Sequence, residues 1–345
     1  MKQMTCYERV MTTFQHRRPD CVPVFPTLLM QGAAELGLGL KDYLGKGENL
    51  AEGQLRLHRK FGYDCVLGVP HFVQDITAFG AGLMYFESGP PSAGEMMIRR
   101  YEDVDRMRAP DPMSAPLLRE TLQAIRLLAQ AVKGRVPILG GCIAPFSLPS
   151  MLMGTEMWMD LLLLENDSCR KQVMGSLIKI TTEFCVAWAN AQLAAGADAI
   201  VLADGMASAA VINRRQFIEL ALPTIRATVP RIQGPVIHEG VGHLHPLLDL
   251  LADTGIVGAI LAYRDDLAEC KRLVGNKICL IGNLNNIEMR RWTPEEMTQK
   301  AQAALAAGAP GGGYILAAQG PEIPLGVRDA VIHNLVNAGH AWRYE

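Results

Sequence analysis

The sequence predicts an α/β protein of the (β/α)8 class, a TIM barrel with an N-terminal helical extension and a β-hairpin inserted after the second strand. The first observation is that eight short apolar runs alternate with segments of helical spacing. The second is that most of these runs end in turn residues and polar side chains. Barrels of this class reach about 250 residues or more as one unit, so we expect residues 1–345 to form a single domain.

Each element follows from its pattern. Short apolar runs bounded by turn residues predict buried parallel strands. The predicted barrel strands are residues 22–26, 65–69, 136–142, 197–203, 234–240, 257–263, 277–281 and 314–318. Apolar residues three and four apart predict the helices between them. The predicted helices are residues 4–16, 49–61, 117–132, 146–154, 156–165, 168–195, a segment from Asn213 to near Pro230, then 245–252, 266–274, 294–307 and 327–338.

Local signals refine three of these elements. Thr5 is a predicted N-cap for the first helix, and Thr293 followed by Pro294 begins the helix at 294–307. Residues 78–100 interrupt the alternation with glycine and proline pairs, and two alternating segments, 83–86 and 95–98, predict the inserted hairpin.

The composition limits the classes of function. Hydrophobic residues make up 49% of the chain and charged residues 20%, with a net charge of −2. This balance gives no electrostatic footprint for nucleic acid or an anionic membrane surface. No apolar run reaches the ~18 residues of a membrane span. The eight cysteines form no Cys-x-x-Cys motif, and in the absence of a signal peptide we expect reduced thiols and a cytoplasmic protein.

Polar residues follow the predicted strands, where this fold class places its chemistry. Those residues are His71, Cys142, Asp204, His238, Glu239, Tyr263, Asn283, Asn285 and Gln319, with Glu322 just beyond. They predict a ligand site at one face of the barrel. No Walker loop or Gly-x-Gly-x-x-Gly follows a strand. His243 and His245 are spaced so that they point to different sides of a helix start, which disfavours a zinc site built from them.

Several landmarks resemble one family. They are Glu8-Arg9-Val10, Asp20-Cys21-Val22-Pro23-Val24, the run 141–148 (GCIAPFSL), Gly196-Ala197-Asp198-Ala199-Ile200, Pro235-Val236-Ile237-His238, Ile281-Gly282-Asn283 and Tyr314-Ile315-Leu316-Ala317. The chain resembles the uroporphyrinogen decarboxylase superfamily over nearly its full length. Within that superfamily it resembles the corrinoid- and cobamide-dependent methyltransferase branch, which implies a TIM barrel and an enzyme that moves methyl groups.

Two departures discriminate among the branches of the superfamily. The decarboxylases carry an arginine in their first loop for the many carboxylates of the substrate, but this chain has no arginine between Arg18 and Arg56. The thiol-methylating branch holds zinc with a His-x-Cys motif and a later cysteine. Here the resemblance matches His238 to the histidine, with Glu239-Gly240 in place of the first cysteine and Gln319 in place of the second. Without thiolates, zinc and a thiol acceptor are both in doubt.

The resemblance then implies the demethylating branch. Such an enzyme takes a methyl group from an O-methyl donor, for which aryl methyl ethers such as methoxyphenols are the candidates, and passes it to the cob(I)alamin of a separate corrinoid protein. Under this hypothesis His238 or Glu239 is the acid that protonates the leaving oxygen, and Asp204 is its hydrogen-bonding partner. Apolar residues Leu29, Met30, Phe146 and Met151 floor the pocket. Asn283, Gln319 and Glu322 bind a second ring oxygen.

Other interpretations stay open at this point. One is a methyltransferase with a thiol or tetrahydrofolate acceptor, or a decarboxylase. Another is a catalytically silent barrel that binds a small molecule or a corrinoid protein. A metal site of nitrogen and oxygen ligands, with His238 and Glu239 joined by Asp204 or Glu322, is a weaker alternative. Exposed apolar helix faces on such barrels also allow a homodimer.

Overall fold

One parallel sheet of eight strands forms the centre of the molecule. The computed structural model describes residues 3–164 and 168–344. Its barrel strands, in chain order, are β1 (Val24–Phe25), β2 (Val66–Leu67), β5 (Ile138–Ile143), β6 (Ala199–Ala203), β7 (Val236–Glu239), β8 (Gly258–Ile260), β9 (Cys279–Leu284) and β10 (Tyr314–Ala318), and the antiparallel strands β3 (Leu83–Met84) and β4 (Ser92–Ala93) form a hairpin. The order of the sheet is β1-β10-β9-β8-β7-β6-β5-β2. The prediction of a (β/α)8 barrel is confirmed.

Helices cover the outside of this sheet. They are α1 (Cys6–Phe14), α2 (Gln31–Leu36), α3 (Leu40–Leu44), α4 (Gly47–Phe61), α5 (Pro116–Val132), α6 (Leu148–Met153), α7 (Thr155–Leu163), α8 (Ser168–Ala195), α9 (Arg214–Gln216), α10 (Leu222–Thr228), α11 (Leu248–Leu251), α12 (Leu267–Val274), α13 (Pro294–Gly308) and α14 (Asp329–Ala341). A π-helical turn, Phe217–Ala221, joins α9 to α10. Capping boxes at Thr5 and Thr293 begin α1 and α13, as the sequence predicts.

A buried ionic network closes the sheet beside α1. The amide of Asp64, just before β2, donates to the carbonyl of Val24 in β1 at 2.9 Å. The Asp64 carboxylate accepts from the Val24 amide, from the Arg9 guanidinium at 2.5 Å and from His340 at 2.8 Å. Arg9 also pairs with Asp20. The two end strands of the ladder are therefore joined by one carboxylate and the N-terminal helix.

Strand alternation separates two apolar layers. One cluster of buried residues, which includes Val201, Ile237, Ile260 and Ile281, fills the interior of the barrel. A second cluster joins the outward strand positions to the helices. Because successive side chains of a strand point to opposite faces, each barrel strand contributes to both layers.

Three of the differences between the structure and the predicted elements concern the hairpin, the first loop and the helix at 156–165. The second hairpin strand is Ser92–Ala93, three residues earlier than the predicted segment 95–98, because the turn is tighter than the glycine and proline pairs indicate. The predicted first loop contains helices α2 and α3. The predicted helix 156–165 ends at Leu163, and its last predicted residue, Glu165, lies outside the described residues.

None of the helices within residues 3–164 and 168–344 combines the length and apolar character needed to cross a membrane.

Candidate active site

The pair His238-Glu239 at the end of β7 is divided between the two faces of the sheet. Glu239 is in register with Ala203 and Ile260, and Ile260 belongs to the interior layer. His238 is in register with Leu202 and Ala259, which belong to the layer against the helices. Directly paired residues of a parallel ladder share a face. Glu239 therefore points into the barrel, whereas His238 points toward the helices.

Glu239 lies at the mouth of the barrel against the loop that follows β10. Its Oε1 is 1.5 Å from the position that a Cβ would occupy on Gly320, so only a glycine leaves room for the carboxyl group. Glu239 is 2% exposed, and Oε1 has no hydrogen-bond partner among the described residues. Burial raises the pKa of Glu239 to about 7. At neutral pH this carboxyl group can therefore both hold and release a proton.

Asp204 follows β6 beside the end of β7. Its amide donates to the carbonyl of Glu239 at 2.7 Å, and its Oδ1 accepts from the hydroxyl of Ser147 at 2.6 Å. The same hydroxyl accepts from the amide of Met206, which fixes its orientation. Burial raises the pKa of Asp204 to about 7, while the hydrogen bond from Ser147 opposes that rise. Asp204 and Glu239 are thus two buried carboxyl groups with raised pKa values, and a backbone hydrogen bond joins their residues at this end of the barrel.

In contrast to Asp204 and Glu239, His238 has a lowered pKa. Burial lowers its pKa to about 4, because a charged imidazole is costly among apolar side chains. Its Nε2 has no partner among the residues described. A neutral histidine that faces the helices cannot serve a ligand inside the barrel. The structure does not bring His238 into the site that the sequence predicts for it.

A cavity of about 320 Å³ opens beside Glu322 and the loop after β10. This is at the lower end of the ~300–1,000 Å³ of small-molecule sites. Its walls come from the loops after β9 and β10, the hairpin turn and the N-cap of α2. The lining residues are Met30, Ser88, Gly89, Pro90, Asn286, Ile287, Arg290, Pro321, Glu322, Pro324 and Leu325. Two of the predicted substrate-binding residues, Met30 and Glu322, line this cavity.

Glu322 contributes a third buried carboxyl group. Burial raises its pKa to about 7, and a hydrogen bond from the amide of Met30 opposes that rise. Its Oε2 is buried and has no partner within the described part of the chain. This unpartnered oxygen belongs to a residue that lines the cavity.

A chain of hydrogen bonds braces the cavity wall. The amide of Tyr263 donates to Oε1 of Gln319 at 3.0 Å, and Nε2 of Gln319 donates to Asn286 at 2.9 Å. Asn286 in turn donates to the carbonyl of Glu322 at 2.6 Å. The Tyr263 hydroxyl accepts from Arg264. Gln319 and Tyr263, which the sequence places among substrate-binding residues, hold the loops together instead.

Three further residues that were predicted for the site form hydrogen bonds with backbone groups around them. Asn283 donates through Nδ2 to the carbonyls of Ala262 and Asp265, which fastens β9 to the loop after β8. Asn285 accepts from the amides of Ile287 and Glu288 in the next turn. His71 accepts from the amide of Gln74 through Nδ1, and burial lowers its pKa to about 3. Local caps of this kind account for these side chains.

The predicted pocket residues of the chain's middle part belong to packing layers. Phe146 is buried and makes an edge-to-face contact with Trp158 at a ring-centroid distance of 5.7 Å. Met151 packs against the layer between sheet and helices. Cys142 is in register with Leu202 on the outer face, where its Sγ is 3.4 Å from Sγ of Cys185. The structure therefore places the Cys142 side chain away from the barrel interior, which does not support its assignment to the pocket.

Cys142→Ala tests this correction. We expect an unchanged KM for any ligand of the barrel and a free energy of unfolding lower by about 1–2 kcal/mol, because a buried sulfur is removed from a packed layer. The matched change Cys185→Ala, on α8, should give the same result. Denaturant unfolding and a ligand titration of both variants measure the two effects. A raised KM for Cys142→Ala alone would return this thiol to the pocket.

The donor set does not fit zinc. The positions matched to the family's thiolates are Gly240 and Gln319, and His238 faces the helices. In the portion of the chain that the structure describes, no three His, Cys, Asp or Glu side chains lie together as metal ligands. His243, the other candidate, is fixed to Asp265 at 2.5 Å, and that carboxylate also accepts the amides of Leu244 and Ala262.

Four residues of the site escape the sequence analysis. Ser147 lies within the quoted run 141–148 but carries no pattern of its own, and its role depends on the approach of Asp204. Gly320 follows β10, where the distance to Glu239 becomes visible only in the folded chain. Asn286 and Arg290 belong to a polar stretch that resembles any surface turn. Of the four, Asn286 is the one with a sequence signal, because two asparagines in a row after a strand indicate a structured turn.

Comparison with known proteins identifies the family. The chain is 27% identical over 285 residues to a uroporphyrinogen decarboxylase of Nitrosococcus oceani, which covers 78% of this chain and 75% of the relative. It is 28% identical over 262 residues to the methylcobamide:CoM methyltransferase MtbA of Methanosarcina acetivorans, with 73% of each chain covered. A solved methyltransferase from Methanosarcina mazei shares the fold, with a TM-score of 0.86 at 22% identity over 97% of this chain and 98% of that one. The sequence model of the family described as uroporphyrinogen decarboxylase (URO-D) matches residues 5–342, and the chain belongs to that family.

Proposed function

We propose that the protein is a corrinoid-dependent methyltransferase that demethylates an aryl methyl ether and methylates the cob(I)alamin of a separate corrinoid protein. The observation that carries the proposal is Glu239, a buried carboxyl group with a pKa of about 7 that points into the barrel mouth of a chain without thiolate ligands there. The similarity to a protein named as a methylcobamide:CoM methyltransferase supports cobamide chemistry. The donor and the direction of transfer are part of the proposal.

The reaction balances with the groups that this chain offers. The electron pair of cobalt(I) forms the new carbon–cobalt bond, and the bond between the methyl carbon and the ether oxygen breaks. That oxygen leaves with the electron pair of the broken bond and takes a proton, so the products are a phenol and methylcobalamin. Cobalt(I) is the nucleophile, so the barrel has only to position the ether and supply the proton.

Glu239 is the residue that we assign as the proton donor. A carboxyl group whose pKa lies near the working pH is protonated in a useful fraction of molecules and still acidic enough to transfer the proton. Asp204, held by Ser147 and attached through its amide to the backbone of Glu239, is the positioning partner. Of the two residues that the sequence hypothesis names as the acid, Glu239 faces the interior and His238 faces the helices, which supports the choice of Glu239.

The cavity beside Glu322 supports a donor with a single ring. Met30, Pro321 and Leu325 provide apolar walls for a single ring, and Glu322, whose Oε2 has no partner among the described residues, lines the same cavity. The volume of about 320 Å³ suits a ligand of one ring. A tetrapyrrole with many carboxylates needs a larger cavity and several cations, while the first loop contains no arginine. The decarboxylase alternative is therefore disfavoured.

A spectral assay tests the proposal. Cob(I)alamin, free or bound to a corrinoid protein, is mixed with the enzyme and guaiacol, and the expected result is the absorbance of methylcobalamin together with release of catechol. A panel of aryl ethers covers the donor range. No conversion with any aryl ether would refute the demethylase, and conversion of methylcobalamin with a thiol would favour the acceptor-side alternative. Binding of an ether without conversion would indicate a silent barrel.

A further inference from the structure

Arg290 is an uncompensated cation on the wall of the cavity. It belongs to the turn Glu288–Arg290 after β9, and its side chain makes no ion pair or hydrogen bond among the residues that the structure describes. Its Nε and Nη2 atoms are 3.9 Å from the position that a Cβ would take on Gly326, so the guanidinium reaches across to the loop after β10. Arg290 and Glu322 line one cavity without forming an ion pair.

Glu322 adds a second polar group to the same wall. Its Oε2 is buried without a partner, and burial raises the pKa of the carboxyl group to about 7. In its protonated form such a carboxyl group donates a hydrogen bond to an anionic oxygen. An exposed cation and a buried acid on one wall are complementary to a carboxylate, because a guanidinium binds the two oxygens of a carboxylate in parallel.

The remaining walls specify the rest of the ligand. Met30, Pro321, Pro324 and Leu325 are apolar, and the turn of the hairpin at Ser88–Pro90 closes the opposite side. A flat ring packs against such walls through its faces and edges. A ligand with one aromatic ring and one carboxylate satisfies both parts of the cavity, whereas a neutral methoxyphenol leaves Arg290 without a partner.

We propose that the cavity is a binding site for carboxylate-bearing methoxyarenes, with Arg290 paired to the carboxylate and Glu322 hydrogen-bonded to it. Only the methoxy group of the proposed ligand depends on the proposed function. The anion subsite is inferred from the residues that line the cavity. It divides donors into two classes, methoxybenzoates that are bound tightly and neutral methoxyphenols that are bound weakly.

Binding of two matched ligands tests the subsite. Calorimetric titration of the full chain compares 4-methoxybenzoate with 4-methoxybenzamide, which has the same shape without the charge. We expect the benzoate to bind about tenfold or more tightly, the effect of a charge-assisted hydrogen bond. Arg290→Gln should remove that preference and leave the Kd of the benzamide unchanged, and Arg290→Lys should keep part of it.

Arg291→Gln is the control, since it removes the same charge from the next residue, which does not line the cavity. Equal losses in the two variants would reduce the effect to long-range attraction and overturn the subsite. Equal affinities for the two ligands in the unchanged protein would also overturn it. Methyl transfer is measured in parallel. A benzoate preference without methyl transfer leaves the subsite standing and refutes the proposed function. Methyl transfer without a preference for the benzoate would support the proposed function and refute the subsite.

Discussion

Replacing Glu239 with glutamine is expected to lower the rate of methyl transfer by about a hundredfold or more, the usual contribution of a general acid. The amide keeps the size of the carboxyl group, so its fit against Gly320 is preserved, but it cannot release a proton to the leaving oxygen. We therefore expect kcat to fall while the Kd of the ether stays within about twofold. Single-turnover formation of methylcobalamin and calorimetric binding of the ether measure the two quantities.

His238→Leu is the matched control for this prediction. The side chain at position 238 faces Leu202 and Ala259, and leucine fills a similar apolar space. We expect transfer within a few-fold of that of the unchanged enzyme. If the histidine variant lost activity and Glu239→Gln kept it, the assignment of the acid would be reversed, and with it the inference from the register of β7.

The same change has a consequence for stability that depends on pH. The pKa of Glu239 is raised from its ordinary value of 4.5 to about 7 in the folded chain. Between these values the unfolded chain binds fewer protons than the folded chain, so stability falls as pH rises from 4.5 to 7 and stays lower above 7. Glutamine cannot ionise. Glu239→Gln should therefore be more stable by up to about 3 kcal/mol at pH 8 and equal at pH 4.

Thermal or denaturant unfolding at pH 4, 6 and 8 checks this dependence. A gain in stability with a loss of catalysis is the pattern expected where a protein keeps a costly buried acid for its chemistry. A constant difference between the two proteins at every pH would mean that Glu239 titrates normally. The role of proton donor at neutral pH would then lose its electrostatic basis.

The order of strands and helices follows from the sequence, but the faces of the strands do not. Each barrel strand is buried on both sides, so its residues are apolar throughout and carry no alternation. The run Val236-Ile237-His238-Glu239 therefore gives no sign of which polar residue faces inward, and one step of register decides between them. Cys142 is misplaced for the same reason. Glu239, Asp204, Met30 and Glu322 stay candidates for the site, because residues at or just after the carboxyl ends of the strands lie near the mouth.

Contacts between loops could not be predicted from the sequence. Arg290 and Glu322 are 32 positions apart, and Ser147 and Asp204 are 57 apart. Each pair depends on how two loops approach over the barrel, for which local periodicity has no signal. The amides of Asn283, Asn285 and Gln319 look like ligands for the same reason. A side chain that braces a loop and one that binds a substrate have the same chemistry, and only their distances separate them.

Gly320→Ala is expected to disrupt the site from the opposite side. The added Cβ would stand 1.5 Å from Oε1 of Glu239, so the carboxyl group or the loop after β10 must move. Overpacking of this kind costs about 1–3 kcal/mol of folding free energy. Displacement of the acid by about an ångström should also lower methyl transfer by about a hundredfold. Unfolding by denaturant and the single-turnover rate measure both losses.

A double-mutant cycle with Glu239→Ala shows whether the glycine acts through that carboxyl group. In the Glu239→Ala background the clashing atoms are absent, so Gly320→Ala should cost little further stability, and the two changes should be non-additive by about 1–3 kcal/mol. Gly175→Ala, in the middle of α8 with nothing within 4 Å of the added Cβ, is the control and should stabilise the chain by about 0.5–1 kcal/mol. Additive losses would place the effect of Gly320 in its own loop. The position of Glu239 at the barrel mouth would then not depend on Gly320.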